Sequence, residues 1–181
     1  MIKTFKYKLY HSKKNKHLVS SIILACNIYN HCISLHKRYY SKYKKSLNKF
    51  DLQKHITKLK KLNKYRHWNE LNSQSIQEIT DRIYRSYTNF FNSLKTKSGR
   101  VKLPAFKSSK RYKSFTLKQT GYKLNKDNSI QIGKQTYKYF KSKELEGTLK
   151  VLTIKRDNLG DIYLFFVCET GNPKLRNMTG K

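Results

Sequence analysis

The side chains best suited to chemistry in this chain lie between Leu103 and Thr116. Lys107, Lys110, Arg111 and Lys113 supply positive charge; Ser108, Ser109, Ser114 and Thr116 supply hydroxyls; Phe106, Tyr112 and Phe115 supply ring faces. The chemistry they fit is non-covalent. Cations neutralise a phosphodiester, hydroxyls fix register along it, and rings offer surfaces to bases or ribose. No Asp or Glu occurs between Asp81 and Asp127, so the segment carries no counter-charge of its own. A solvated surface ordinarily mixes signs to limit self-repulsion. This one calls for a polyanion.

The whole chain repeats that bias. Its 181 residues hold 41 basic and 10 acidic side chains, a formal charge of +31, far more than solubility needs. Such a field opposes the isolated fold and steers the chain towards nucleic acid or anionic lipid. Lys outnumbers Arg 33 to 8, the mark of an AT-rich genome, but codon bias does not explain the scarcity of acids. The contiguous apolar runs, Ile22 to Cys26 and Ile162 to Cys168, fall short of the roughly 20 residues that span a bilayer. Met1 to Lys6 alternates and has no apolar signal core. Cys26, Cys32 and Cys168 are too few and scattered for a disulfide framework or a CxxC zinc site. The expected setting is cytoplasmic and nucleoid-associated, with reduced thiols and no membrane partner.

Catalytic signals are sparse. The closest carboxylates in sequence, Glu144 and Glu146, sit beside a turn at Gly147, and nothing in the spacing predicts the converging acids of a two-metal phosphodiester site. The histidines form no His-x-His pair; His31 and His36, five residues apart, do not share a helix face and read as surface or internally satisfied side chains. Tyr29, Tyr40, Tyr84 and Tyr87 have the spacing of helical core, whereas Tyr112, Tyr122 and Tyr137 are candidates to touch nucleic acid. Cys168, on an apolar strand, reads as a small buried hydrophobe.

These residues need elements to position them. Phe5, Tyr7 and Leu9 alternate with Lys6 and Lys8, which predicts a half-buried strand with a basic outer face. Leu18, Ile22, Cys26, Tyr29, Ile33 and Tyr40 predict a first helix from about Lys14 to Tyr43. Leu52, Ile56 and Leu59 predict a second over Asp51 to Leu62, with Asp51 at its positive end. Ile76, Ile79, Ile83, Tyr87, Phe90 and Leu94 make one apolar stripe on a third, starting at a capping box on Ser75 or earlier at Asn72 or Ser73, and ending at Ser98-Gly99. Short strands follow around Phe115, Tyr122, Ile130 and Tyr137, then a hairpin of Thr148 to Lys155 with Ile162 to Glu169. Gly171 to Lys181 reads as a linker. A lone first strand is unstable, so it must pair with later ones. The expected fold is therefore α+β: a small wedge or OB-like β-barrel over 1–13 and 99–170, with a helix-turn-helix-like three-helix lobe inserted over 14–98.

Several segments taken together resemble a known family. They are Phe5-Lys6-Tyr7-Lys8-Leu9-Tyr10, Cys26-Asn27-Ile28-Tyr29-Asn30, Asp51-Leu52-Gln53, Ile56-Thr57-Lys58-Leu59, Tyr87-Thr88-Asn89-Phe90-Phe91, Leu103-Pro104-Ala105-Phe106-Lys107, Ser114-Phe115-Thr116 and Val151 to Arg156. Their order and spacing are similar to the N-terminal half of TnpB, also called OrfB, an insertion-sequence protein related to type V CRISPR effectors. The resemblance implies an RNA-guided system in which base pairing carries sequence specificity and the protein holds guide RNA and target DNA by backbone and shape. It implies a transposon-derived guide RNA and double-stranded target DNA as partners. Gln77 and Thr116 would contact a short target-adjacent DNA motif, and Lys107, Lys110, Arg111 and Lys113 would bind phosphate. Ala105 replaces an Arg frequent in the family. The nuclease carboxylates and zinc cysteines of such proteins would fall beyond Lys181, so no catalytic residue or cofactor is expected in this chain, magnesium and zinc belonging to the missing half. The alternatives are a stand-alone regulator of transposon ends or promoters, or one half of a split RNA-guided endonuclease that joins a separate nuclease half.

Overall fold

A computed structural model describes residues 1–96, 101–118 and 121–171. The elements run β1 (Ile2–Lys8), α1 (Asn15–Tyr43), α2 (Lys49–Leu59), a 3₁₀ helix (Asn63–Glu70), α3 (Ser73–Lys95), β2 (Ser114–Lys118), β3 (Tyr122–Leu124), β4 (Ser129–Ile132), β5 (Gln135–Lys138), β6 (Thr148–Arg156) and β7 (Ile162–Glu169). The fold is mixed α+β with two small antiparallel sheets. One has the order β1-β7-β6-β2, the other β3-β4-β5, and a single bridge between Leu9 and Tyr139 links them. Among the described residues the strand pairing does not close into a ring.

The helices form where their ends and stripes direct. Asn48 and Asp51 make a reciprocal capping box at the start of α2: the Asn48 side chain accepts from the Phe50 and Asp51 N–H groups. At α3 the cap is Asn72, which accepts from Gln74 N–H. Ser75, a rival starting point, is instead buried inside the helix. The expected end of α3 at Ser98-Gly99 lies outside the described residues. α1 stops at Lys44, whose left-handed backbone (φ 53°) lets its N–H reach Tyr40 O.

α1 is long and apolar enough to cross a membrane by length and composition, with a mean hydropathy of 1.5 over its most apolar window. Contiguous apolar runs do not reveal this, because Ser, Asn and His interrupt them while no charge falls between Lys16 and Lys37. Half of that window is buried in the fold, where α1 packs on α3 and β2.

One core unites the helices and strands. Ile22, Ile28, Ile33, Ile79 and Ile83 from the helices meet Phe115, Leu152, Ile154, Leu164 and Phe166 from the inner sheet face. β1 pairs with β7 across the intervening helices, Phe5 opposite Phe166 and Tyr7 opposite Leu164. The helical block is thus an insertion between two strands of one sheet. The free edge of β2 is covered by the first turn of α3: Ser75 Oγ donates to Thr116 O at 2.8 Å, and Lys118 N–H donates to Gln74 Oε1 at 3.0 Å. Edge groups that would otherwise recruit a foreign strand are thereby satisfied.

Candidate nucleic-acid interface

The segment from Val101 to Lys113 forms a strap with no regular secondary structure, so its path depends on side chains beneath it. α1 provides most of them. Asn30 Nδ2 donates to Lys107 O at 2.8 Å, and Asn30 Oδ1 accepts from Lys107 N–H at 2.9 Å, so one amide side chain replaces a strand partner. Cys26 Sγ donates to the same carbonyl at 3.3 Å, and Tyr29 OH donates to Ala105 O at 3.1 Å. These three residues lie at i, i+3 and i+4, one face of the helix. Burial pushes the Cys26 thiol up, against the opposing pull of the Lys107 ammonium, so this thiol stays protonated and able to donate.

Further along, Tyr112 turns inward and is 3% exposed. Its hydroxyl accepts from Arg82 Nη2 at 2.8 Å, and its ring lies 5.5 Å from that of Tyr29. Burial pushes its phenol up to about 12 even with Arg82 beside it. Tyr112 is therefore an anchor from strap to α3, which corrects its standing as a candidate to touch nucleic acid. Tyr137 is buried as well, and Tyr122 half-buried. In the helices, Tyr29 and Tyr87 are core as expected, while Tyr40 and Tyr84 stand exposed; Tyr84, one residue past the buried Ile83, falls off the apolar stripe of α3. Cys168 is buried as expected.

What the strap leaves outside is cationic. Lys107, Lys110 and Arg111 are exposed, and among the described residues none takes part in an ion pair. The Lys107 ammonium rests 5.1 Å over the Tyr29 ring, and Lys37 of α1 sits 4.7 Å over Phe106, itself 56% exposed. Lys113 is half-buried and donates to Asn158 Oδ1 in the β6–β7 turn. Nearby, Arg156 N–H donates to Lys113 O at 2.8 Å. The strap is tied at one end to the helices and at the other to the sheet.

Thr116 and Gln77 part company. The Thr116 hydroxyl lies 3.1 Å from that of Thr153 on the outer sheet face, and its carbonyl is held by Ser75. Gln77 is exposed and lines a cleft with Gln53 and Thr57 of α2 and with Lys60 just past its end. Two residues on from Ser75, it is turned about 200° around α3. A ligand touching both would have to cross the N-terminal turn of that helix.

The metal-ligand inventory is thin: among the described residues no group of three or more His, Cys, Asp or Glu side chains converges. No protein-family model matches the chain, and no curated protein matches it.

Sequence reasoning overlooked Asn30, Cys26 and Arg82 as the parts that shape the strap. It also overlooked Tyr163 and Phe165. β7 reads as apolar on both faces, Ile-Tyr-Leu-Phe-Phe-Val-Cys, a pattern of full burial. Instead Ile162, Leu164 and Phe166 are buried while Tyr163, Phe165 and Val167 remain partly exposed.

Proposed function

We infer that this chain binds nucleic acid through its phosphodiester backbone, as the holding and positioning part of a TnpB-like, RNA-guided system. The observation that carries the reading is the strap. Lys107, Lys110 and Arg111 are exposed, without carboxylate partners among the described residues, on a segment whose backbone is fixed by Asn30, Tyr29 and Tyr112. A pre-set path for cations lowers the ordering cost of meeting a phosphate backbone. It also suits ligands recognised by shape more than by base edges. The helical insertion between β1 and β2 supports the comparison with a recognition lobe set into a wedge domain, with the two sheets as walls of a small barrel.

On this reading the ligands are a guide RNA and its target DNA, Lys107, Lys110, Arg111 and Lys113 lie along the backbone, and Gln77 and Thr116 face the DNA beside the target from two sides of α3. The test is binding of structured RNA and duplex DNA across salt. With roughly 6–10 phosphate contacts, affinity falls by about 10³–10⁵ between about 50 and 200 mM salt. Absent or salt-insensitive binding refutes the proposal.

A further inference from the structure

The outer face of the four-stranded sheet has a composition that ordinary solvation does not explain. Strand registers align its side chains in rows across the sheet. One row runs Lys6, Phe165, Thr153 and Thr116; the next runs Lys8, Tyr163, Lys155 and Ser114. Each row therefore has an aromatic ring on β7, Lys on one or both sides, and a hydroxyl at the β2 end. Neither row contains a carboxylate. The rings of Tyr163 and Phe165 stand at i and i+2, about 7 Å apart along the strand, both partly exposed. The Lys6 ammonium sits 4.3 Å over the Tyr163 ring, and Lys155 lies 5.9 Å from the Phe165 ring centre.

We propose that this face is a stacking platform for a single-stranded polynucleotide, with Tyr163 and Phe165 each receiving a base and Lys6 and Lys155 flanking the backbone. The occupant follows from charge and shape. The flanking cations select a polyanion, and the ring faces select one whose bases are unpaired, because a duplex presents its backbone and groove edges instead of base faces. The ring spacing is about twice the rise of stacked bases, so the strand lies extended with its bases splayed. Aromatics on an open four-stranded sheet serve this purpose in a common class of RNA-binding module. Lys6 covers Tyr163 only from solvent. An exposed cation–ring contact is weaker than base stacking, so the ammonium can move to a phosphate as a base takes its place. The carboxylates at the rim are engaged: Asp161 pairs with Lys8 at 2.5 Å and Glu169 with Lys150 at 2.8 Å.

The inference rests on the nucleic-acid reading but on different residues from the strap, and the two can fail separately. The experiment measures affinity of the full chain for three probes of one length: a single-stranded oligonucleotide in RNA and DNA forms, its abasic counterpart, and a duplex. The wild type is expected to favour the single strand over the abasic strand by on the order of tenfold or more. Tyr163→Leu/Phe165→Leu, which keeps apolar cover, should erase that preference while duplex affinity stays within about twofold. Tyr163→Phe, which keeps the ring, should retain it. Equal wild-type affinity for intact and abasic strands overturns the platform while leaving the strap reading intact; no affinity for any probe overturns both. Equal loss on all three probes in the double variant also overturns it. So does a self-association that the double variant abolishes while base preference persists, since that would assign the face to a second copy.

Discussion

The side-chain amide of Asn30 forms two hydrogen bonds with the backbone of Lys107, at 2.8 and 2.9 Å, across 77 residues of sequence. A segment without strand or helix partners is given one by a single residue on α1. The charge of the strap therefore comes from its own side chains, and its shape comes from the helix beneath.

Asn30→Ala separates those two contributions. It removes both bonds and leaves every cation in place. Each bond is worth about 1 kcal/mol, so stability should fall by roughly 1–2 kcal/mol in denaturant unfolding. Nucleic-acid affinity should fall about three- to tenfold as the strap loosens, while the slope of affinity against salt stays unchanged. A changed slope would show that Asn30 governs the number of phosphate contacts and not merely their arrangement.

Of the described glycines, Gly147 has the least room for a side chain. Its φ is 85°, and a Cβ there would come within 2.4 Å of Glu169 O at the end of β7. Backbone strain alone costs about 1–3 kcal/mol, and the backbone contact adds to it. Gly147→Ala should lower the denaturation midpoint sharply, whereas Gly160→Ala, also at positive φ but with nothing within 4 Å, should cost only the strain.

Three histidines make stability depend on pH. His36 is 2% exposed and stacked 3.6 Å from Tyr87, with neither ring nitrogen hydrogen-bonded among the described residues. His31 and His55 face each other, Nε2 to Nε2, at 3.0 Å. Burial lowers all three from the ordinary value of 6.5, with His55 and Arg38 adding to it at His31 and Arg38 and Lys58 at His55. Lowered folded values mean that the unfolded chain binds protons first. Their contribution is complete above about pH 6.5 and is lost as pH falls below it. Glu146 and Asp161, held low by Lys3 and Lys8, act in a separate window below their ordinary values of 4.5 and 3.8. Thermal melts from pH 8 downwards should decline first near pH 6.5, and His36→Phe should flatten that first decline.

Much of this molecule is legible in the sequence, for identifiable reasons. The β6–β7 hairpin is strongly periodic and lies where the pattern puts it; the α3 stripe holds from Ile76 to Tyr87, but at its end Ser93 is buried while Leu94 is 55% exposed. The insertion of the helices follows from one argument, that β1 cannot stand alone. The 3₁₀ helix around Trp68 carries no periodic signal and is not foreseeable. The anchors are harder still. Tyr112 and Lys110 are near neighbours in an acid-free run, yet one is core and the other surface, because Arg82 and Tyr29 approach from elements remote in sequence. Whether β7 is covered on its outer side depends likewise on packing that no local pattern encodes.

The central claim is that the exposed cations of the strap grip phosphate. Its most direct test is the slope of log affinity against log salt for the wild type and for Lys107→Gln/Lys110→Gln/Arg111→Gln on one duplex. Each lost phosphate contact should make the slope shallower by about 0.9, so the triple variant should be shallower by roughly three contacts' worth, with its melting temperature unchanged or raised as repulsion falls. An unchanged slope in a folded triple variant would contradict the account.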